Sequence, residues 1–195
     1  MDTTTGNVSD NRESSRTRIT EVSRELFSMY SFSQVSLRDI ATAAGVSPAL
    51  IIKHFQSKEN LFEQTVNFTT SSTNLFMGPF ENLGRTMVEE TLNAPSTAPY
   101  SIIRMLIVTS GEEESLQAIG QRIKDDHLAV LYRRIAAESP HPNPSPALRA
   151  QSVVSIITGL SLMRRFGDPD FDTHDRKELA DHYASVIQRV LDGTD

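Results

Sequence analysis

Side chains able to act as nucleophiles, acid–base groups or metal ligands are few in this chain and poorly spaced. There is no cysteine, which removes thiolate catalysis, disulfides and cysteine-ligated metal centres. The histidines are His54, His127, His141, His174 and His182. Asp125-Asp126-His127 and His174-Asp175 set acids beside imidazoles, but as local runs without a usable ligand geometry. No H-E-x-x-H, G-x-S-x-G or phosphate-loop pattern occurs. The sequence predicts no catalytic residue, no metal, no cofactor and a protein that is not an enzyme.

What remains is the chemistry of contact. The net charge is -6, which alone does not suggest a polyanion binder. Its distribution is uneven. From Ser14 to Lys58 six basic residues (Arg16, Arg18, Arg24, Arg38, Lys53, Lys58) face three acidic ones (Glu21, Glu25, Asp39). After Lys58 there are 12 basic residues against 19 acidic. A mildly basic head on an acidic body favours phosphate contact at one end.

The elements that must position those cations are helices. Residues 1–15 are polar and small, too poor in apolar surface to offset ordering entropy, and predict a flexible tail. Ile19, Val22, Leu26 and Tyr30 then recur at helical spacing. Ser36-Leu37-Arg38-Asp39 has the form of a capping box, followed by Ile40, Ala41 and Ala44 on one face. Gly45 ends that helix. Ser47-Pro48 opens another, with a preferred N-cap and a proline where no useful N–H is lost. Leu50, Ile51 and Phe55 give it an apolar side. Residues 36–55 thus read as helix, tight turn, short helix, the geometry that puts a second helix into a major groove about 12 Å wide.

The rest also reads as helix, with no strand signal. A helix is expected from Lys58 to about Phe76, although Thr69–Thr73 is a poor helix former that packing must hold or that bends. Others are expected over 84–92, 100–108, 115–137, 147–166 and 174–191. Four prolines between Ser139 and Pro146 mark a loop. The fold class is all-α: residues 16–57 as a three-helix helix-turn-helix domain, and 58–195 as a larger helical domain. The first 30 residues lack a signal-peptide pattern. The longest apolar run, Val153–Met163, is broken by Thr158, Gly159 and Ser161 and falls short of the roughly 20 residues that span a bilayer. A cytoplasmic location and no membrane partner are expected.

From Thr17 to Phe62 the chain resembles the TetR family. The resemblance is carried by Val35-Ser36-Leu37-Arg38-Asp39-Ile40-Ala41-Thr42-Ala43-Ala44-Gly45-Val46-Ser47-Pro48 and by His54-Phe55-Gln56-Ser57-Lys58-Glu59-Asn60-Leu61-Phe62. It implies a transcriptional regulator, a repressor released from a palindromic operator by a small molecule. It also implies roles residue by residue. Thr17 and Arg18 lie near a phosphate at the start of the first helix. Ser36, Leu37 and Arg38 begin the second, with Arg38 on phosphate or a base edge. Ser47, Pro48, Ala49 and Leu50 lead the recognition helix, Lys53 and His54 point to backbone or bases, and Lys58 meets a phosphate.

Two positions depart from the family's pattern. Ile52 stands where tyrosine is usual, exchanging a hydrogen bond for apolar contact such as a thymine methyl. Ser31 stands where glycine is favoured, at a cost of up to about 1 kcal/mol if the site is left-handed.

A single recognition helix reads a half-site, so the partners expected are double-stranded operator DNA, a second copy of the chain and an unidentified small-molecule effector. The nearly all-apolar Val153–Met163 segment and the C-terminal stripe supply a four-helix dimer interface in the family's manner: Val153, Ile156, Ile157, Leu160 and Met163 with Tyr183, Val186, Ile187 and Val190. Methionines and aromatics supply the expected ligand-cavity residues: Phe68, Phe76, Met77, Met87, Met105 and Tyr132.

Overall fold

The computed structural model describes residues 6–65, 68–95, 102, 103, 106 and 113–194. Every regular element among them is helical, in agreement with the all-α expectation. The chain divides into two compact units, Met1–Asn67 with Arg104–Gly120 and Phe68–Ile103 with Gln121–Asp195.

The first unit begins with α1 (Gly6–Met29), followed by α2 (Leu37–Ala44), α3 (Pro48–Phe55) and α4 (Lys58–Thr65). The backbone from Gly6 is helical, so the tail expected over 1–15 is corrected from that point. Extending a helix already anchored by buried Ile19 and Phe27 requires no new nucleus. Ile19, Ile40, Ile51, Phe55, Leu61 and Phe62 are at most 2% exposed and form the core. Phe27 and Phe62 meet edge-to-face at 5.1 Å, and Phe32 meets Phe62 at 5.2 Å. These rings join α4 to α1 and the loop after it, so the compact unit continues past the boundary expected at residue 57. Ser31 has no left-handed backbone. Its hydroxyl donates to Gln34 Oε1 at 2.9 Å, so the anticipated strain is absent.

In the second unit come α5 (Thr69–Phe76), α6 (Leu83–Asn93), a π-helical turn (Lys124–Leu128), α8 (Ala129–Glu138), α9 (Pro146–Leu162), a second π turn (Met163–Gly167) and α10 (Arg176–Asp192). The helix α7 (Glu113–Ile123) precedes the first π turn. The helix expected over 58–76 is therefore two helices. Phe68, with φ -104° and ψ 8°, precedes α5 outside helical geometry, and the Thr/Ser run resumes the helix only from there. The helix expected over 115–137 runs as α7, π turn and α8. A π turn accommodates one extra residue and often marks a functional position.

The second unit's core gathers Phe76, Leu83, Met87, Leu131, Val153 and Ile187. At Gly84 the packing of α6 on α10 is closest. A Cβ there would lie 2.6 Å from the Ala184 carbonyl oxygen, while the Gly84 N–H donates to Gln188 Oε1 at 2.9 Å. Only glycine permits that approach. Ser145 and Asp175 cap α9 and α10 by accepting the N–H groups of Leu148 and Glu178. Buried Arg149 ties the proline loop to the end of α10, donating to Ser139 Oγ and to the carbonyls of His141 and Leu191.

Candidate nucleic-acid interface and ligand cavity

The local sequence builds the helix-turn-helix without outside help. Ser36 Oγ accepts the Asp39 N–H at 3.2 Å, and Asp39 Oδ2 accepts the Ser36 N–H at 2.9 Å. The Ser36 hydroxyl donates to Asp39 Oδ2 at 2.6 Å, and this bond, with the weaker help of the Ser36 N–H, holds the Asp39 carboxyl below its ordinary pKa. Gly45 takes φ 63° and ψ 40°, the left-handed conformation that closes α2. The Val46 N–H returns to the Ala41 carbonyl at 2.9 Å, and the Leu50 N–H donates to Ser47 Oγ at 3.2 Å to start α3.

Ile51 and Phe55 anchor α3 in the core, at 0% and 1% exposure. Its leading end and opposite side are open: Ser47, Pro48, Ala49, Ile52 and Lys53 are exposed and Leu50 is half-buried. Thr17, Arg18, Ser36 and Arg38 are exposed as well, and Leu37 is half-buried. Two side chains expected on DNA already have neighbours. Lys58 Nζ lies 3.9 Å from the centre of the Phe32 ring, a cation–π contact. Half-buried His54 has Nε2 3.4 Å from Ser15 Oγ. Arg16, outside the expected set, stands exposed on α1 with its guanidinium over Phe55 and a bond to Gln64 Oε1 at 2.8 Å.

The joint between α3 and α4 is tight. Gln56 has φ 69° and ψ -44°, the one non-glycine residue with positive φ among the described residues. The Ser57 N–H donates to the Phe55 carbonyl at 2.8 Å. This is a γ-turn of the positive-φ kind, rare and strained. Ser57 then caps α4 by accepting the Asn60 N–H at 3.1 Å.

The second unit holds a cavity of about 340 Å³. Leu75, Phe76, Val153, Val154 and Ile157 supply apolar walls, and Thr70, Ser71, Asn74, Thr91 and Thr158 bring hydroxyls and an amide. Part of the polar run that weakens α5 as a helix therefore borders a cavity, while Ser72 is buried. His127, on the first π turn, is another lining residue. Its ring sits edge-on to Phe68 at 5.5 Å and to Phe76 at 5.6 Å, and its buried Nδ1 has no hydrogen-bond partner. Burial pushes its pKa down to about 4, against a smaller opposing pull from Asp126.

Among the residues expected to line a cavity, Phe76 borders it. Phe68 is buried beside His127 and Met87 lies in the unit's core. Met77 and Tyr132 are 61% and 46% exposed and stand away from it. Met105 lies outside the described residues. Sequence reasoning missed His127, treating Asp125-Asp126-His127 only as a failed ligand set. A histidine inside an apolar helical stripe was the available signal.

At the expected interface, Val153, Leu160 and Ile187 are corrected. They are at most 2% exposed and belong to the subunit's own core, so they have no area left for a partner. A helix apolar all round must spend one side on its own domain. Ile156, Ile157, Tyr183, Val186 and Val190 are half-buried, and Met163 is 44% exposed. Phe166, on the second π turn, is 62% exposed, an unforeseen open apolar side chain.

Comparison with known proteins gives the same picture. The family model for "Bacterial regulatory proteins, tetR family" matches residues 19–65, and that for the "Tetracyclin repressor-like, C-terminal domain" matches residues 81–191. A similar relative is the HTH-type transcriptional regulatory protein RaaS of Mycobacterium tuberculosis, 31% identical over 144 residues, 73% of this chain. The match spans 66% of that relative, just under two thirds of its length. A TetR-family regulator from Rhodococcus sp. superposes with a TM-score of 0.68 at 15% identity, covering 91% of this chain and 98% of the other. NalD of Pseudomonas aeruginosa, described as the secondary repressor of the MexAB-OprM multidrug efflux pump, gives 0.59 at 24% identity, with 91% and 96% covered. At these identities the two structures speak for the fold alone. No helix among the described residues is long and apolar enough to cross a membrane.

Proposed function

Because this chain belongs to the TetR family of bacterial regulatory proteins, we propose that it is a cytoplasmic repressor released from a palindromic operator by a small molecule. The observation that carries this reading is α3. Its apolar side is buried, its capped leading end is exposed, and Lys53 in its last turn and Arg38 on α2 are exposed as well. A helix held that way can enter a major groove with Ser47, Pro48, Ala49 and Ile52 toward the base edges. Backbone N–H groups and the flanking cations Arg18 and Arg38 fix its register on phosphates.

Two such heads are needed for a two-fold operator. We assign the subunit contact to apolar residues that remain open on α9 and α10, Ile156, Tyr183, Val186 and Val190, with Met163 and Phe166 of the second π turn. The effector site is the cavity between α5, α6 and α9. A molecule bound there displaces α5, which follows α4 in the chain, and the heads lose the spacing the operator requires. Release demands that the molecule bind the DNA-free form more tightly than the DNA-bound form.

The experiment is fluorescence anisotropy on duplexes from the DNA flanking the protein's own coding region, searched for inverted repeats, at stated salt. Binding of one inverted repeat at least a hundredfold tighter than scrambled duplex, as a dimer, is expected. Equal affinity for both sequences overturns the operator reading. Transcript levels that fall on deletion of the gene overturn repression in favour of activation.

A further inference from the structure

Among the described residues, the fully buried part of the cavity's lining carries no charge. It consists of Phe76, Thr91, Ile103, His127 and Val153. Two of these offer polar atoms. Thr91 Oγ1 donates to the Met87 carbonyl of its own helix at 2.8 Å, which leaves its lone pairs free to accept. His127 is 3% exposed, and its Nδ1 is a buried polar atom without a hydrogen bond. Such an atom is uncommon in a folded protein and calls for a partner that arrives later.

Among the described residues, the charged side chains of the lining are Glu90, which is exposed, and Arg165, which is half-buried and donates to Ser161 Oγ at 3.3 Å. They are one of each sign, and both lie where solvent screens them.

We propose that the cavity takes an uncharged, largely apolar molecule whose buried end carries a hydroxyl or amide that hydrogen-bonds to His127 and Thr91. This rests on reading the cavity as the effector site. The volume of about 340 Å³ suits a small ligand. A carboxylate or ammonium carried into the buried end is stripped of water and meets no counter-charge there. The imidazole is no exception. Its depressed pKa keeps it neutral at pH 7, so it attracts no anion. A hydroxyl accepts from the Nδ1–H tautomer of His127 while donating its single proton to Thr91 Oγ1, and an amide offers a carbonyl and an N–H for the same two partners.

The test uses three probes of one skeleton on the full-length chain at pH 7: biphenyl-4-methanol, biphenyl-4-carboxylate and biphenyl-4-methylammonium, measured by calorimetry. The alcohol is expected to bind at least tenfold tighter than either ion. His127→Phe should reduce that preference to less than threefold. Thr91→Val, which loses the acceptor together with the bond to the Met87 carbonyl, should lower alcohol affinity severalfold while the helical circular dichroism spectrum is unchanged. Tightest binding by the carboxylate points to Arg165, and by the ammonium to Glu90; either overturns the proposal. So does the absence of binding by all three at 1 mM. Adding the alcohol to the operator complex separates the two readings. Binding with unchanged DNA affinity leaves the ligand class standing and removes the effector role.

Discussion

The backbone N–H of Phe68 donates to Asp126 Oδ2 at 2.9 Å across 58 residues of sequence. Phe68 precedes α5, whose start has no side-chain cap of its own. Asp126 supplies that cap from the π turn, one residue before His127. The turn that walls the cavity therefore also holds the residue from which α5 starts.

Replacing Asp126 by Ala should lower stability by about 1–2 kcal/mol, the usual worth of a helix cap or charged hydrogen bond. Urea denaturation measures it. If the turn carries the effector signal, the variant should also respond to a bound effector with a smaller change in operator affinity. An unchanged response means that α5 moves without it.

His127 gives a dependence on acid. Its ordinary pKa of 6.5 falls to about 4 in the folded chain. Between those values the unfolded chain takes up a proton that the folded one refuses. Stability is therefore complete above pH 6.5 and declines as pH falls toward 4, by on the order of 2–3 kcal/mol. His127→Phe should flatten this part of the profile relative to wild type. Parallel profiles for the two proteins would show that the imidazole does not carry it.

Gly84 tests the packing of α6 on α10. A methyl group there meets backbone atoms that cannot rotate away, so Gly84→Ala should cost about 1–3 kcal/mol despite its better helix propensity. A Tm equal to or above wild type would mean that the two helices separate freely.

The reading of these helices from sequence succeeded where the signal was local. Ser36, Asp39, Gly45, Ser47 and Pro48 each act within four residues of their own position, so the start and stop of α2 and α3 were legible. The cavity was not. His127 becomes a lining residue because Phe68 and Phe76, more than 50 residues away, close on it, and no period in the sequence carries that fact. Nor could the pattern of α9 divide itself. Val153 and Leu160 are as apolar as Ile156 and Met163, and only the folded unit decides which pair it consumes.

On the DNA side, Arg38→Ala and Lys53→Ala should each weaken binding to operator and scrambled duplex by similar factors. Each should reduce the slope of log K against log salt by about 1, the signature of one lost phosphate contact. Ile52→Ala should instead cost about 1 kcal/mol at one base pair and leave the slope alone. A changed slope for Ile52→Ala would contradict its assignment to the base edges.

For the dimer, Phe166→Glu sets a charge on the open apolar surface. It should shift the monomer–dimer equilibrium at least tenfold toward monomer in sedimentation velocity, with an unchanged helical circular dichroism spectrum. A fully dimeric variant would move the subunit contact elsewhere.

The strained Gln56 turn leaves no slack between two rods. A hinge built from several free residues would absorb a tilt of the rod behind it; a one-residue hydrogen-bonded corner passes the tilt on. Eight residues of α3 span roughly 12 Å, so a rotation of about 10° at that corner carries the far end sideways by roughly 2 Å. Base-edge hydrogen bonds tolerate only a few tenths of an ångström around their optimum. A small angular error is enough to make the wrong pairing of helix and groove.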